Sequence, residues 1–213
     1  MAYVLGFFAA DGYITMNHRG GGFWCLEIVD KTHLQKIRKI IQSDHKISIR
    51  KRNSGKYINY RLQIGSIEMC NDLENLGYFK KKTNNLSLPK VPDQYFSDFV
   101  RGYFDGDGNV WSGLIHKGRN TSSLGIQTAF TSCSFNFLED LDKRLQSTGI
   151  NKGAIYRSKQ GYFRLVYSIN GSLKLYDFMY NHKVKVSDRI FLHRKKKVFD
   201  KFIEGRLDNA VVV

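Results

Sequence analysis

Proline is almost missing from this sequence: both copies, Pro89 and Pro92, fall in one central stretch, NNLSLPKVPDQYF, which reads as a short tether between two halves rather than a long flexible linker. Cysteine is scarce as well. Cys25, Cys70 and Cys133 are odd in number and far apart, with no CxxC spacing and no nearby histidine pair, which excludes a disulfide framework and a zinc site. No apolar run approaches the roughly 18 to 20 residues of a membrane span. The first apolar segment also begins too close to the N-terminus for a signal peptide. With no targeting signal, an intracellular protein is expected, in a bacterial or phage cytoplasm or an organelle matrix. Acidic residues are few: 19 Asp plus Glu stand against 34 Lys plus Arg, a net charge of +15. Such a surplus points to a polyanionic partner, with a generic solubilising surface as the alternative. A membrane surface fits less well, because the basic residues lie mostly in strand-like and turn-like segments rather than along one amphipathic helix.

What the chain does have is a repeat. The segment GFFAADG at residues 6–12 matches GYFDGDG at 102–108, an offset of 96. YRLQI at 60 matches FRLVY at 163, and GSIEMCNDL at 65 matches GSLKLYDFM at 171. With 42% apolar and 14% aromatic residues over 213 positions, each half has the material for a small core. In the first half, residues 3–11 read as an apolar helix closed by Gly12 in a left-handed C′ conformation. Strands at 13–18 and 23–30 follow around RGGG, then a helix at 32–43, a hairpin at 46–64 around NSGK, and a helix at 66–76. The second half repeats this order with a helix at 95–107, strands near 109–116 and 124–131, and a helix at 134–148. A hairpin turning at SKQG, a helix at 172–180 and a basic C-terminal helix at 188–204 complete it.

Small residues recur four apart on one face of each opening helix: Gly6 and Ala10, then Gly102 and Gly106. That spacing lets two helix backbones approach closely, and the remaining Val, Leu, Phe and Tyr predict burial nearly all round. Packing of the two copies about a pseudo-twofold axis is therefore expected, with Asp11 and Asp107 brought side by side. Two carboxylates at helix C-termini repel each other and face the negative dipole ends, so the arrangement requires a cation. Oxygen-only donors suit Mg²⁺, with waters and phosphate oxygens completing the shell. Taken singly, each Asp-Gly is a helix-to-strand turn; the duplicated context favours the site. An EF-hand fails despite the alternation of Asp105, Asp107 and Asn109, because position six is Val110 and position twelve is His116.

VLGFFAADG and VRGYFDGDG resemble the two copies of the LAGLIDADG motif, and over nearly its whole length the chain is similar to a single-chain, two-repeat LAGLIDADG homing endonuclease. The resemblance implies an α+β fold: two pseudo-symmetric αββαββα repeats with saddle-shaped antiparallel sheets and two central packed motif helices. Residues 1–86 would form the first repeat, 87–96 the linker, and 97–213 the second repeat with its basic C-terminal helix. It further implies a monomer that cleaves both strands of a double-stranded DNA site of about 20 base pairs across the minor groove, leaving short 3′ overhangs. By the family pattern Asp11 and Asp107 ligate divalent metal, with the carbonyls of Ala10 and Gly106 as secondary donors. Mg²⁺ is the expected ion, with Mn²⁺ substituting and Ca²⁺ binding without supporting cleavage. The first copy departs from the consensus at Ala9, where the second has Asp105; that acid is not a metal ligand in the family. Lys82 and Lys185, in YFKKKTN and NHKVKVSD, occupy the place of the family's catalytic lysines, with a solvated basic loop as the alternative. Asp30 and Ser132 fall at the second-strand end, a peripheral active-site position.

Alternation along the strands supplies the DNA-reading candidates. Taking Leu62 and Ile64 as inward leaves Arg61 and Gln63 outward, and taking Ile47 and Ile49 as inward leaves Arg50 and Arg52 outward. Thr15, Asn17 and Arg19 share a face of the first hairpin. In the second half, Leu124, Ile126 and Phe130 read as core, leaving Gln127 and Thr131 exposed, and Arg164 matches Arg61. Arg and Gln can bond guanine and adenine edges in pairs; each residue also fits an ordinary solvated strand. The helix in FLHRKKKVFDKF adds phosphate contacts or closes the fold. Competing functions are an intron RNA maturase and a nuclease-inactive DNA-binding protein of the same fold. The lack of an N-terminal Cys or Ser and of a terminal His-Asn points away from an intein.

Overall fold

The computed structural model describes residues 1–51, 58–78, 86–115, 123–181 and 190–210. The first repeat contains α1 (Ala2–Asp11), β1 (Gly12–Met16), β2 (Gly22–Ile28), α2 (Lys31–Ile40), β3 (Ile47–Lys51), β4 (Ile58–Gly65) and α3 (Ile67–Asn75). The second contains α4 (Asp93–Asp107), β5 (Gly108–Ile115), β6 (Ser123–Ser132), α5 (Phe135–Ser147), β7 (Ala154–Arg157), β8 (Phe163–Tyr167) and α6 (Ile169–Tyr180), and α7 (His193–Ala210) follows. Each repeat is αββαββα around a four-stranded antiparallel sheet, ordered β1-β2-β4-β3 in one and β5-β6-β8-β7 in the other. Among the described residues no helix is long and apolar enough to cross a membrane.

Two compact units result, Met1–Gly106 and Asp107–Val213. The motif helix α4 therefore opens the second repeat in sequence yet packs in the first unit. The reason lies in its glycines. A methyl group at Gly6 would overlap the carbonyl oxygen of Phe99, and one at Gly102 would overlap that of Tyr3. Each glycine thus receives the backbone of the other helix, an approach that no side chain permits. Around this contact Tyr3, Val4, Phe7 and Phe8 from α1 and Phe96, Phe99, Val100, Tyr103 and Phe104 from α4 are buried.

The same interface explains one of the differences between the two motif copies, Ala9 against Asp105. Asp105 is buried and accepts a hydrogen bond from the Tyr3 hydroxyl at 2.7 Å, and that hydroxyl also meets His33 Nε2 at 2.9 Å. With the phenol proton given to Asp105, His33 Nε2–H is the donor in the second bond. The network ties α2 to both motif helices, a structural task for which Ala9 in the first copy has no counterpart.

In the first sheet the covered face carries Trp24, Leu26, Leu62 and Ile64, and Trp24 stacks on Phe8 with ring centroids 5.5 Å apart. In the second, Ile126, Phe130, Leu165 and Tyr167 are covered by α5 and α6, with Phe137, Leu141, Leu175 and Met179 fully buried. Asp142, also buried, accepts from the Tyr167 hydroxyl at 2.6 Å and from the Gly153 amide at 2.9 Å, so this acid serves the core.

Three local expectations are corrected. Gly12 is extended, with φ −86 and ψ 159, rather than left-handed; it is required because a Cβ there would enter the Phe8 ring. Ile49 shares the covered face with Ile47 but is 61% exposed, because β3 is the edge strand and Ile49 pairs with Tyr60 near its open end. Strand β1 ends at Met16, so Asn17 and Arg19 lie in the turn rather than on the strand face: the Asn17 side-chain oxygen accepts from the Arg19 and Gly21 amides at 3.0 and 2.7 Å.

The interhelical approach sets a stability prediction. Gly102→Ala forces a methyl into backbone and should cost about 3 kcal/mol in urea unfolding. Gly149→Ala, at φ +89 with open space around it, should cost about 1 kcal/mol.

Candidate functional site

Asp11 and Asp107 are the last residues of α1 and α4, both half-buried, and each leads directly into the first strand of its repeat. Small-residue packing continues to this end of the helices. A Cβ on Gly106 would overlap that of Ala10 and lie 3.1 Å from a carboxylate oxygen of Asp11. The Asp11 side chain is thereby set against the residue that precedes Asp107 in α4.

Among the described residues no group of three or more His, Cys, Asp or Glu is placed to hold a metal ion. A cation beside Asp11 would draw on that carboxylate, on neighbouring carbonyls such as those of Ala10 and Gly106, and on oxygens from outside the protein. These are hard oxygen donors and fit Mg²⁺ with its retained waters. Lys82, Lys185 and Arg52 lie outside the described residues.

The registers define the open face of each sheet, the one turned away from the covering helices. In the first, Thr15 pairs with Phe23, Arg61 pairs with Glu27 and with Ser48, Gln63 with Cys25, and Arg50 with Asn59. Thr15, Arg50, Arg61 and Gln63 therefore share one surface. In the second, Gln127 pairs with Trp111, and Thr131 and Tyr156 flank Arg164. Gln127 is exposed, while Thr131 and Arg164 are half-buried.

The two peripheral candidates have local partners. Asp30 caps α2, accepting from the His33 amide at 2.9 Å. Ser132 is buried at the end of β6, where its Oγ accepts from the Ser134 amide at 3.1 Å. Ser134 caps α5 as Asp30 caps α2.

Several residues at these surfaces were not singled out by sequence. Glu27 lies on the open face, pairs with Arg61 and accepts from Asn59 Nδ2 at 3.1 Å. Since Gly12 pairs with Leu26, Glu27 stands one register step beyond, level with Asp11. Counting alternation outward from Trp24 and Leu26 finds it. Tyr13 joins the same surface, and burial pushes its hydroxyl above the usual phenol range against the lowering effect of its hydrogen bond to Arg61. Lys195 is 6% exposed and its Nζ donates to the carbonyl of Gly108 at 2.6 Å, the residue after Asp107. Its signal is a lysine within the helical stripe Leu192, Lys195, Phe199 and Phe202, whose other members are buried apolar residues. This contact shows that α7 closes the second unit at the foot of β5.

No family model matches the chain. A 101-residue segment is 36% identical to the "Probable translation initiation factor IF-2" of Thermococcus kodakarensis, covering 46% of this chain and 8% of that protein. The chain therefore spans less than a tenth of the length of this relative. The "Uncharacterized protein MJ0398" of Methanocaldococcus jannaschii is 24% identical over 214 aligned positions, 96% of this chain and 72% of that one. Among solved structures, the LAGLIDADG meganuclease I-AabMI bound to uncleaved DNA superposes with a TM-score of 0.60 at 15% identity, over 98% of this chain and 91% of that one. The I-SmaMI LAGLIDADG homing endonuclease bound to cleaved DNA gives 0.62 at 13% identity, over 95% and 87%. I-WcaI bound to its DNA recognition sequence gives 0.56 at 17%, over 84% and 78%. The fold of this protein is that of the LAGLIDADG homing endonucleases in their single-chain, two-repeat form.

Cys25 lies on the open face yet is fully buried, and burial raises its thiol above the ordinary range. Cys70 is buried as well and Cys133 is exposed. Titration with an aromatic disulfide reagent should therefore modify Cys133 rapidly in the folded protein and all three cysteines only after denaturation.

Proposed function

We propose that this protein is a site-specific double-strand DNA endonuclease with a cleavage centre built from Asp11 and Asp107. The observation that carries this reading is the glycine-mediated approach of α1 and α4, which sets the Asp11 carboxylate against Gly106, immediately before Asp107. An acid at a helix C-terminus faces the negative end of the dipole, a placement that a bound cation offsets, and both motif helices end in one. The net charge of +15 and the guanidinium and amide groups on the two open faces supply attraction and contact for a duplex. That the superposed meganucleases are bound to DNA gives the reading further support.

In this reading Asp11 and Asp107, with the carbonyls of Ala10 and Gly106, hold divalent metal, Mg²⁺ in the working enzyme. When bound, the metal neutralises charge at the scissile phosphate and activates water for phosphodiester hydrolysis. Arg50, Arg61, Gln63, Gln127 and Arg164 bond base edges or phosphates, and Lys82 and Lys185 contribute positive charge to the reacting phosphates. The duplex site spans about 20 base pairs and is cut to short 3′ overhangs, the scale on which two such sheets can read a groove.

The test is cleavage of a randomised duplex library with Mg²⁺, with Ca²⁺, and with the Asp107→Asn protein. Cutting at one long site with Mg²⁺, none with Ca²⁺, and a loss of about 10²-fold or more in the variant are expected. Specific retention of a duplex without cutting in any metal would leave a DNA-binding protein of the same fold. Selective retention of intron RNA would favour a maturase.

A further inference from the structure

The two open faces are not chemically equivalent, and the difference centres on Trp111. This side chain is 50% exposed on β5, whereas Trp24 is buried. A Cβ built on Gly113 would meet the Trp111 indole at Cζ2, 2.7 Å away, and at Cε2 and Cη2, each 3.3 Å away. The indole therefore lies along the sheet over Gly113. Gly113 pairs across the ladder with Gly125, and a Cβ on Gly125 would meet the Ile115 side chain at 2.8 Å. Two glycines thus form a floor on which Trp111 and Ile115 rest, an apolar plate beside the polar side chain of Gln127. The repeat offset of 96 places Thr15 at the position of Trp111 and Arg19 at that of Ile115. The open face of the first sheet has a smaller counterpart, the half-buried Phe23, whose ring lies beside Gly65.

Resting on the reading of this protein as a duplex-DNA endonuclease, we propose that Trp111 and Ile115 recognise thymine C5-methyl groups in the half of the target read by the second sheet. The methyl is the apolar feature that base pairs present in the major groove, and apolar side chains are its usual partners. Gln127, the cross-strand neighbour of Trp111, stands ready to bond the adjacent adenine edge. The first sheet adds Arg50, Arg61 and Gln63, whose groups read base edges through hydrogen bonds.

The experiment is selection of bound duplexes from a randomised pool in Ca²⁺, followed by replacement of each selected thymine by deoxyuridine, with the full chain and its Trp111→Ala variant. Deoxyuridine removes the methyl and keeps every hydrogen-bonding group. Wild type should lose about fourfold in affinity per critical thymine in the half read by the second sheet, the size of one methyl's burial. Trp111→Ala should bind thymine and uracil duplexes equally there and keep normal discrimination in the other half. Gly113→Ala, which lifts the indole without removing it, should lose the same preference. Uracil tolerated throughout by wild type, or discrimination retained by Trp111→Ala, overturns the inference while leaving the duplex reading intact. Failure to enrich any duplex, or tighter binding of single-stranded RNA, overturns both.

Discussion

Everything in the first unit depends on the contact between two helix backbones at Gly6 and Gly102. Each glycine sits on the carbonyl of the opposite helix, at Phe99 and Tyr3, so the contact is reciprocal and leaves no room for adjustment. Helix backbones this close bring their C-terminal ends together, and at that end the chain carries acids. Asp11 and Asp107 are the last residues of those helices, where the negative ends of the dipoles disfavour a carboxylate. The buried Tyr3, His33 and Asp105 network, the aromatic packing of both helices and the placement of α4 in the first unit all serve to hold that approach.

The repeat was legible because duplication writes the same apolar and small-residue pattern twice, and the motif spacing carried the element order with it. Leu62, Ile64, Ile126 and Phe130 are covered as alternation predicts. What escaped the sequence reading was tertiary. Ile49 has the right parity for the core and the wrong strand, since an edge strand receives little cover. Gly12 was expected to bend the chain, whereas it makes room for Phe8. Asn17 alternates correctly with Thr15 but is drawn into the turn by its own side chain. Lys195 looked like one more member of a basic run, although its neighbours at helical spacing mark it as buried. Each error comes from reading a local rule where a longer-range contact decides.

The two halves share a backbone plan and diverge in the chemistry placed upon it. Glu27 in the first sheet has Thr131 at the matching point of the second, and Tyr13 has Asn109. Duplication supplies a symmetric scaffold; the outward residues of each strand are then free to differ, because only the covered face is constrained by packing. Asp105 against Ala9 shows the same freedom at the helix interface, where one buried acid suffices to bond Tyr3.

The boundary between compact units falls at Gly106, well inside the second repeat. On a ribosome the chain emerges from its N-terminus, and the first unit lacks one of its two central helices until about half the chain has been made. Until then α1, apolar on nearly every side, has no glycine-notched partner to receive it. The order of synthesis thus exposes the most hydrophobic helix longest, and a nascent chain severed between the repeats would carry that helix uncovered.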